Sequence, residues 1–335
     1  MRDIRIAAAQ FEARDADKEH NLARIDELTG RAVARGAELV SFHECCIGGY
    51  TFMERLSRER LCELAEPVPD GRSVSTLIDI ARERNVAIGA GLLELREGRL
   101  LNSYVVVSPA GGVIARHSKL HPFISAHLSA GDSFTVFDYA GCTFGILICY
   151  DNNLPENVRI TTLMGAEVVL MPHVTGGLPS AMPGRGTIAP EVWANRERDP
   201  VRCRMEFDGP KGRGWLMHWM PTRAYENGIY AVYTNPIGVE GDTIKPGGAM
   251  IVDPFGEVLV ESHVLGDDVV VGLCTPEKIQ QSGGRRYIRA RRPELYAKLV
   301  EPVPEELKAG SSGKYADVYW KKAATSRHDD TTSTT

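Results

Sequence analysis

No apolar run in the 335 residues approaches the roughly 20 that a membrane-spanning helix needs. A basic excess is also missing: 39 Lys and Arg face 44 Asp and Glu, for a net charge of −5, so nothing in the bulk charge favours phosphate backbones or anionic lipid. The opening "MRDIRIAAAQFEARDADKEH" carries acidic residues where a signal peptide keeps an apolar stretch, and the expected location is the cytoplasm. Seven cysteines (45, 46, 62, 142, 149, 203 and 274) are odd in number and form no CxxC pair, which speaks against a disulfide framework. His117, His121, His127 and His173 belong to no HExxH or comparable ligand set, so no metal is expected. Neither a fixed-period repeat nor a low-complexity tract interrupts the chain before its polar end, "AATSRHDDTTSTT", which is expected to be disordered.

What is present is a globular composition, 43% hydrophobic, ample for a large core. "IRIAAAQF", "NLARIDELTGRAVARGAE" and "LVSFHE" read as strand, helix and strand, a βαβ opening. "SVSTLIDIARERN" is a further helix, followed by strands in "VAIGAGLLEL", "LNSYVVVSPAGGVIARHSKL" and "FTVFDYAGCTFGILICYD". "PENVRITTLMGAE" predicts a helix with Pro155 in its first turn, where the missing N–H is harmless, and "VVLMPH" a strand. Residues 174–214, rich in Gly, Pro and Arg, are too long for an ordinary connection and predict an irregular excursion with short helical pieces near a pocket or interface. "WLMHWMPTRAYENG" reads as one helix serving core and subunit contact. "IYAVYTN", "GGAMIVDPFGEVLVES" and "VVVGLCT" read as strands, with a turn at "DPFG". After Pro276 the chain is basic and turn-rich; the cluster "RRYIRARRPELY" suits a solvated or interface surface better than RNA.

Three apolar runs end in a reactive side chain: "LVSFHE" at Glu44, "GGVIARHSK" at Lys119 and "GILIC" at Cys149. Each alone is weak, because a free cysteine is usually a small buried hydrophobe and a strand-end acid or lysine is usually solvated. Together they supply the parts for covalent cleavage of an amide: a carboxylate to take the thiol proton, an ammonium to favour thiolate and then oxyanion, and a thiol to attack. Ordinary values of about 4.3 for Glu and about 8.5 for Cys leave a gap near 4 units, about 6 kcal/mol against proton transfer. A neighbouring lysine lowering the thiol and burial raising the carboxylate are expected to narrow it.

"FHECCIGGY", "HSKLHPF" and "GILICYDNNLPENVR" resemble the three signature segments of the nitrilase superfamily of carbon-nitrogen hydrolases, in the family's order. The resemblance includes Gly49 and Tyr50 after the glutamate, and it continues through "GAEVVLMPH", "RAYENGIYAVYTN" and "GGAMIVDPFGEVLVE". It implies an α/β fold, a four-layer α-β-β-α sandwich, as a single hydrolase domain over residues 1–280 with an extension over 281–335. It also implies a homodimer or higher homo-oligomer through outer helices, and no cofactor. By resemblance, Glu44 is the general base, Lys119 the oxyanion-stabilising cation, Cys149 the nucleophile and the Tyr150 backbone N–H a second oxyanion donor. Asp151, Glu156 and Arg159 become structural support. Tyr50, and also His173 and Val174 just past a strand end, are candidates for the substrate pocket. The other six cysteines keep the bland reading.

The pattern departs from the family at one point. Many members carry a second glutamate about seven residues before a Gly-Asp pair, and here that place is Ile124 in "HPFISAHLSAGD". "CYDNNLPE" also differs from the "CWEN" form associated with true nitriles and is more like the amidase and carbamoyl-amide branches. The expected activity is hydrolysis of a small carboxamide or N-carbamoyl compound. A nitrilase is the alternative, and a non-catalytic acyl- or ligand-binding member of the fold is the alternative from another class.

Overall fold

The computed structural model describes residues 1–180, 182 and 184–304. The expectation of a disordered C-terminal tail lies outside them. The first half runs β1 (Ile4–Gln10), α1 (Lys18–Val33), β2 (Leu39–Ser41), α2 (Arg58–Leu64), α3 (Arg72–Arg84), β3 (Ala87–Arg96), β4 (Arg99–Ser108) and β5 (Gly112–Ser118). There follow β6 (Thr135–Tyr139), β7 (Cys142–Ile146), α4 (Pro155–Leu163), β8 (Val168–Pro172), α5 (Pro190–Ala194), α6 (Pro200–Asp208), α7 (Arg213–Leu216) and α8 (Met220–Asn227). The remainder is β9 (Tyr230–Thr234), β10 (Ile237–Glu240), β11 (Thr243–Pro246), β12 (Met250–Val252), β13 (Val258–Glu261), β14 (Asp268–Cys274), α9 (Pro276–Gln281) and α10 (Gly283–Arg289).

Two six-stranded sheets result, ordered β14-β1-β2-β3-β4-β5 and β13-β12-β9-β8-β7-β6, with β10-β11 as a separate ribbon. At the centre of each the strands are parallel: β1, β2 and β3 in one, β7, β8 and β9 in the other. Strand alternation assigns the layers. Ile4, Ile6 and Ala8 of β1 meet Val168, Leu170, Tyr230 and Val232 between the sheets. Ala7 and Ala9 point the other way, onto Leu22, Ile25 and Leu28 of α1 and Leu77 of α3. Val169, Met171, Ala231 and Tyr233 face Val158 of α4 and Met220 and Ala224 of α8. Sheets buried on both faces and covered by helices need near-continuous apolar strands, and these have them. The expected α-β-β-α order is observed.

The helices start and stop for local reasons. Asp17 and Ser57 accept the N–H groups of His20 and Arg60 at the starts of α1 and α2, and α3 ends on Asn85 in the left-handed region. Pro155 stands in the first turn of α4 as expected. At 253–256 the predicted turn is present, its Asp253 Oδ1 accepting from Phe255 N at 2.8 Å and Glu257 N at 3.2 Å. Short helices punctuate 174–214, again as expected.

Two expectations are corrected. "WLMHWMPTRAYENG" is not one helix: α7 ends at Leu216 and α8 starts at Met220. Pro221 is the cause, since its ring and absent N–H fit a first turn but not a helix interior. After Pro276 the chain forms α9 and α10 rather than turns, and α10 packs against α8. Among the described residues no helix is long and apolar enough to cross a membrane.

Candidate active site

Glu44, Lys119 and Cys149 each follow a strand but none lies on one. β2 stops at Ser41, β5 at Ser118 and β7 at Ile146. The expectation that Cys149 ends its strand is therefore corrected: Leu147 and Ile148 intervene, and Cys149 opens a 3-10 turn, Cys149–Asn153, at φ +52°. A side chain with a β-carbon is strained there, and such strain persists only where surrounding contacts impose it. The contacts are visible. Asn152 Nδ2 donates to Leu147 O at 2.8 Å and Cys149 O at 3.3 Å, and Asp151 Oδ2 accepts from Ile148 N at 3.2 Å.

Asp151 also joins the turn to the lysine. Its carboxylate accepts from Leu120 N at 3.1 Å and His121 N at 2.9 Å, directly after Lys119. The sheets are locked together at the same end, where Phe42 O accepts from Tyr104 OH and from Thr234 Oγ1, both at 2.9 Å. Crevices outside the carboxyl ends of parallel strands are where side chains converge without disturbing a core.

The three side chains meet. Lys119 Nζ donates to Glu44 Oε1 at 2.6 Å and to Tyr50 OH at 3.3 Å, and it lies 5.1 Å and 4.9 Å from the ring centres of Tyr50 and Phe123. Val174 bridges the other two: its N–H donates to Glu44 Oε2 at 3.1 Å, and its carbonyl accepts from Cys149 Sγ at 3.8 Å. Glu44 and Lys119 are 1% exposed and Cys149 5%, so the group is shielded from water.

Burial governs the charges. It pushes the Cys149 thiol up to about 12, with the Glu44 carboxylate adding to the rise and Lys119 only partly opposing it. Lys119 lowers the thiol as expected, but burial and the Glu44 carboxylate outweigh it. Burial pulls the Lys119 ammonium down, but Glu44 more than reverses this and keeps it well above its ordinary value.

Tyr50 and Val174 thus belong to the cluster. His173 is fully buried and turned to the protein: its Nε2 accepts from Asn152 Nδ2 at 3.2 Å and its ring packs on Tyr233 and Trp219, so it backs the Cys149 turn. Tyr150 is 39% exposed, its ring edge-on to His121 and Phe123. Arg159 donates to Glu226 O at 2.9 Å, linking α4 to α8, whereas Glu156 is exposed on α4 and supports no part of the cluster. Ile124 is partly buried against the hydrophobic cluster that includes Tyr50 and Val174, so an apolar side chain stands where a second glutamate was expected.

Sequence reasoning missed Asn102. It is buried on β4, donates to Glu44 Oε1 at 2.6 Å and accepts from Cys45 Sγ at 3.3 Å. An asparagine inside the apolar run "LLNSYVVV" was the available signal, since a buried amide must find partners. All seven cysteines are free. Among the described residues, no three His, Cys, Asp or Glu side chains are grouped to hold a metal ion.

Comparison with known proteins identifies the family. The carbon-nitrogen hydrolase family model matches residues 5–283. An (R)-stereoselective amidase of Pseudomonas sp is 32% identical over 304 residues, 89% of this chain and 95% of that protein. A nitrilase of Pyrococcus abyssi is 30% identical, over 80% of this chain and 88% of its own length. Among solved structures, a nitrilase-superfamily amidase from Nesterenkonia sp. AN1 superposes with TM-score 0.66 at 25% identity, covering 89% of this chain and 97% of that one. Another structure of that amidase, at TM-score 0.65 and 25% identity over 88% and 96% of the two chains, carries an acetamide moiety covalently added at the active-site cysteine. By its sequence, its layered fold and this convergence of side chains, the chain belongs to the carbon-nitrogen hydrolase family of the nitrilase superfamily.

Proposed function

We propose that the protein is an amidase that hydrolyses a small carboxamide or N-carbamoyl compound to an acid and ammonia or an amine, through a thioester on Cys149. The observation that carries this reading is the pair of hydrogen bonds made by the Val174 backbone, its N–H donating to Glu44 and its carbonyl accepting from Cys149, beside the Lys119 ammonium. The reaction follows from that arrangement. Cys149 Sγ adds to the substrate carbonyl as its proton passes to Glu44. Lys119 and the Tyr150 N–H stabilise the oxyanion; losing one such donor typically costs about 100-fold or more. Glu44 gives its proton to the departing nitrogen and the thioester forms. The same carboxylate then takes a proton from water as it attacks, and collapse returns that proton to sulfur with release of the acid. A thiol held near 12 suits proton transfer during attack rather than before it.

Ile124 leaves Glu44 as the carboxylate bonded to Lys119, so the substrate is oriented by backbone and apolar contacts more than by a second acid. The Pyrococcus abyssi relative favours a second reading, a nitrilase using the same residues with a thioimidate intermediate. We further read Ile160 and Leu163, exposed on α4, and Met164 just past its end as part of a homodimer face. An ammonia-release screen over paired amides, ureido acids and nitriles, with intact-mass detection of an acyl adduct lost in Cys149→Ala, tests the proposal. Turnover of nitriles alone would sink it, as would the absence of both adduct and ammonia across the panel.

A further inference from the structure

The β10-β11 ribbon carries two buried charged side chains that the proposed reaction does not use. Glu240 and Lys245 are 1% and 0% exposed. In the antiparallel register Glu240 stands opposite Thr243, and Lys245 opposite Gly238, so both charges lie on one face of the ribbon. Ribbons of two short strands are marginal alone, and buried charges cost more than apolar residues filling the same space. What such groups can supply is registry, because a charged hydrogen bond broken in a dry site is expensive.

The partners of both side chains lie in loops that flank the nucleophile. Glu240 Oε1 accepts from Tyr50 N at 2.6 Å and Thr51 N at 2.9 Å, and Oε2 accepts from the Thr51 hydroxyl. Tyr50 is the residue whose hydroxyl accepts from Lys119. Lys245 Nζ donates to Gly176 O at 3.2 Å, two residues beyond Val174, which holds Glu44 and Cys149. Asn235, just ahead of the ribbon, adds two bonds to the same segment, accepting from Thr175 N at 2.8 Å and donating to Thr175 O at 3.1 Å. The approach is close. A β-carbon on Gly177, at φ +58°, would lie 2.0 Å from Ile244 O, so only glycine fits beneath the ribbon.

We propose that the β10-β11 ribbon is a two-point clamp on the catalytic pocket, with Glu240 and Lys245 as positioning residues. Glu240 sets Tyr50 and through it Lys119; Lys245 sets Gly176 and through it Val174, the shared partner of Glu44 and Cys149. The inference rests on the amidase reading. Loosening either point displaces charge relative to the sulfur without removing any reacting group, and misplacement by about 1 Å can cost about 100-fold in rate.

The test is ammonia release by Glu240→Gln, Glu240→Ala, Lys245→Met and Lys245→Arg, with kcat expressed per Cys149 thiol titrated by iodoacetamide and located by peptide mass. Only the folded fraction recovered by size-exclusion chromatography is titrated, because a misfolded chain would expose Cys149 and be counted as well. The clamp predicts that kcat per thiol falls about 10- to 100-fold in Glu240→Ala and Lys245→Met while KM changes less than about threefold, and that Lys245→Arg retains more activity than Lys245→Met. Should Glu240→Ala not fold, Glu240→Gln and Lys245→Met carry the test. A kcat per thiol within about threefold of the parent in both of these overturns the clamp. If the parent releases no ammonia from any substrate, the amidase reading fails instead. The clamp is then judged on the pH profile of Cys149 alkylation, which must shift in Glu240→Gln and Lys245→Met and overturns it if unmoved.

Discussion

The Lys119 ammonium lies 2.6 Å from Glu44 Oε1 with both side chains shut away from solvent. A buried pair of this kind is costly to assemble and more costly to halve, because the survivor is left charged in a dry site.

Lys119→Met is therefore expected to destabilise the fold by about 3–5 kcal/mol and to abolish hydrolysis, since Glu44 loses its counter-ion. The double variant Glu44→Gln with Lys119→Met should recover much of that stability and none of the activity. Thermal melts of the two single variants and the double variant check this; additive losses would show that the pair is not coupled.

Glu44→Gln alone separates thiol acidity from catalysis. The Glu44 carboxylate raises the Cys149 thiol while Lys119 lowers it, so removing the carboxylate leaves only the lowering charge. Alkylation of Cys149 should begin at lower pH than in the parent, even as ammonia release falls about 100- to 10,000-fold for want of the acid and base. A thiol profile that moves up instead would contradict the charge arrangement.

Asp151 ties the Cys149 turn to the Lys119 segment through three N–H groups, those of Ile148, Leu120 and His121. Asp151→Asn keeps the shape but removes the charge and part of the acceptor capacity. The expected cost is about 1.5–3 kcal/mol in stability. Urea unfolding gives the first effect, and a fall in kcat with little change in KM, from steady-state kinetics, gives the loss of alignment.

Two histidines should set the acid limit of stability. Burial lowers His43 to about 4 and His173 to about 3, Lys119 adding to the fall of His173. Both are neutral when folded, whereas the unfolded chain protonates them below their ordinary 6.5, so it binds more protons in that range. Their stabilising contribution is complete above pH ~6.5 and is lost as pH falls toward 4 for His43 and toward 3 for His173. His173→Gln should flatten the slope of unfolding free energy against pH below ~6.5, measured by denaturant titration at each pH. An unchanged slope would mean that His173 titrates alike in both states.

Glu44, Lys119 and Cys149 were legible as candidates because each follows an apolar run inside a motif of recognisable order, and the strands behind them were legible as near-continuous apolar runs. The break at Pro221 was written in "MPTR" yet masked by the apolar spacing on both sides of it. Asn102, Asn152 and Glu240 were not legible as site residues. Their partners lie 58, 21 and 190 residues away in Glu44, His173 and Tyr50, and no local pattern reports a long-range hydrogen bond.

By itself the sequence determined the strands and helices, through apolar runs alternating with amphipathic stretches, while the layered fold and the three candidate reactive groups followed from the order of motifs that resemble the family. Only the tertiary structure decided where they stand and in what state. Leu147 and Ile148 carry Cys149 past its strand into a left-handed turn, and Val174 brings it to Glu44. Burial then overrides the lysine in setting the thiol. The reason is that desolvation and hydrogen-bond geometry depend on what chain segments far apart in sequence exclude and contact, and neither exists until the two sheets close over the site.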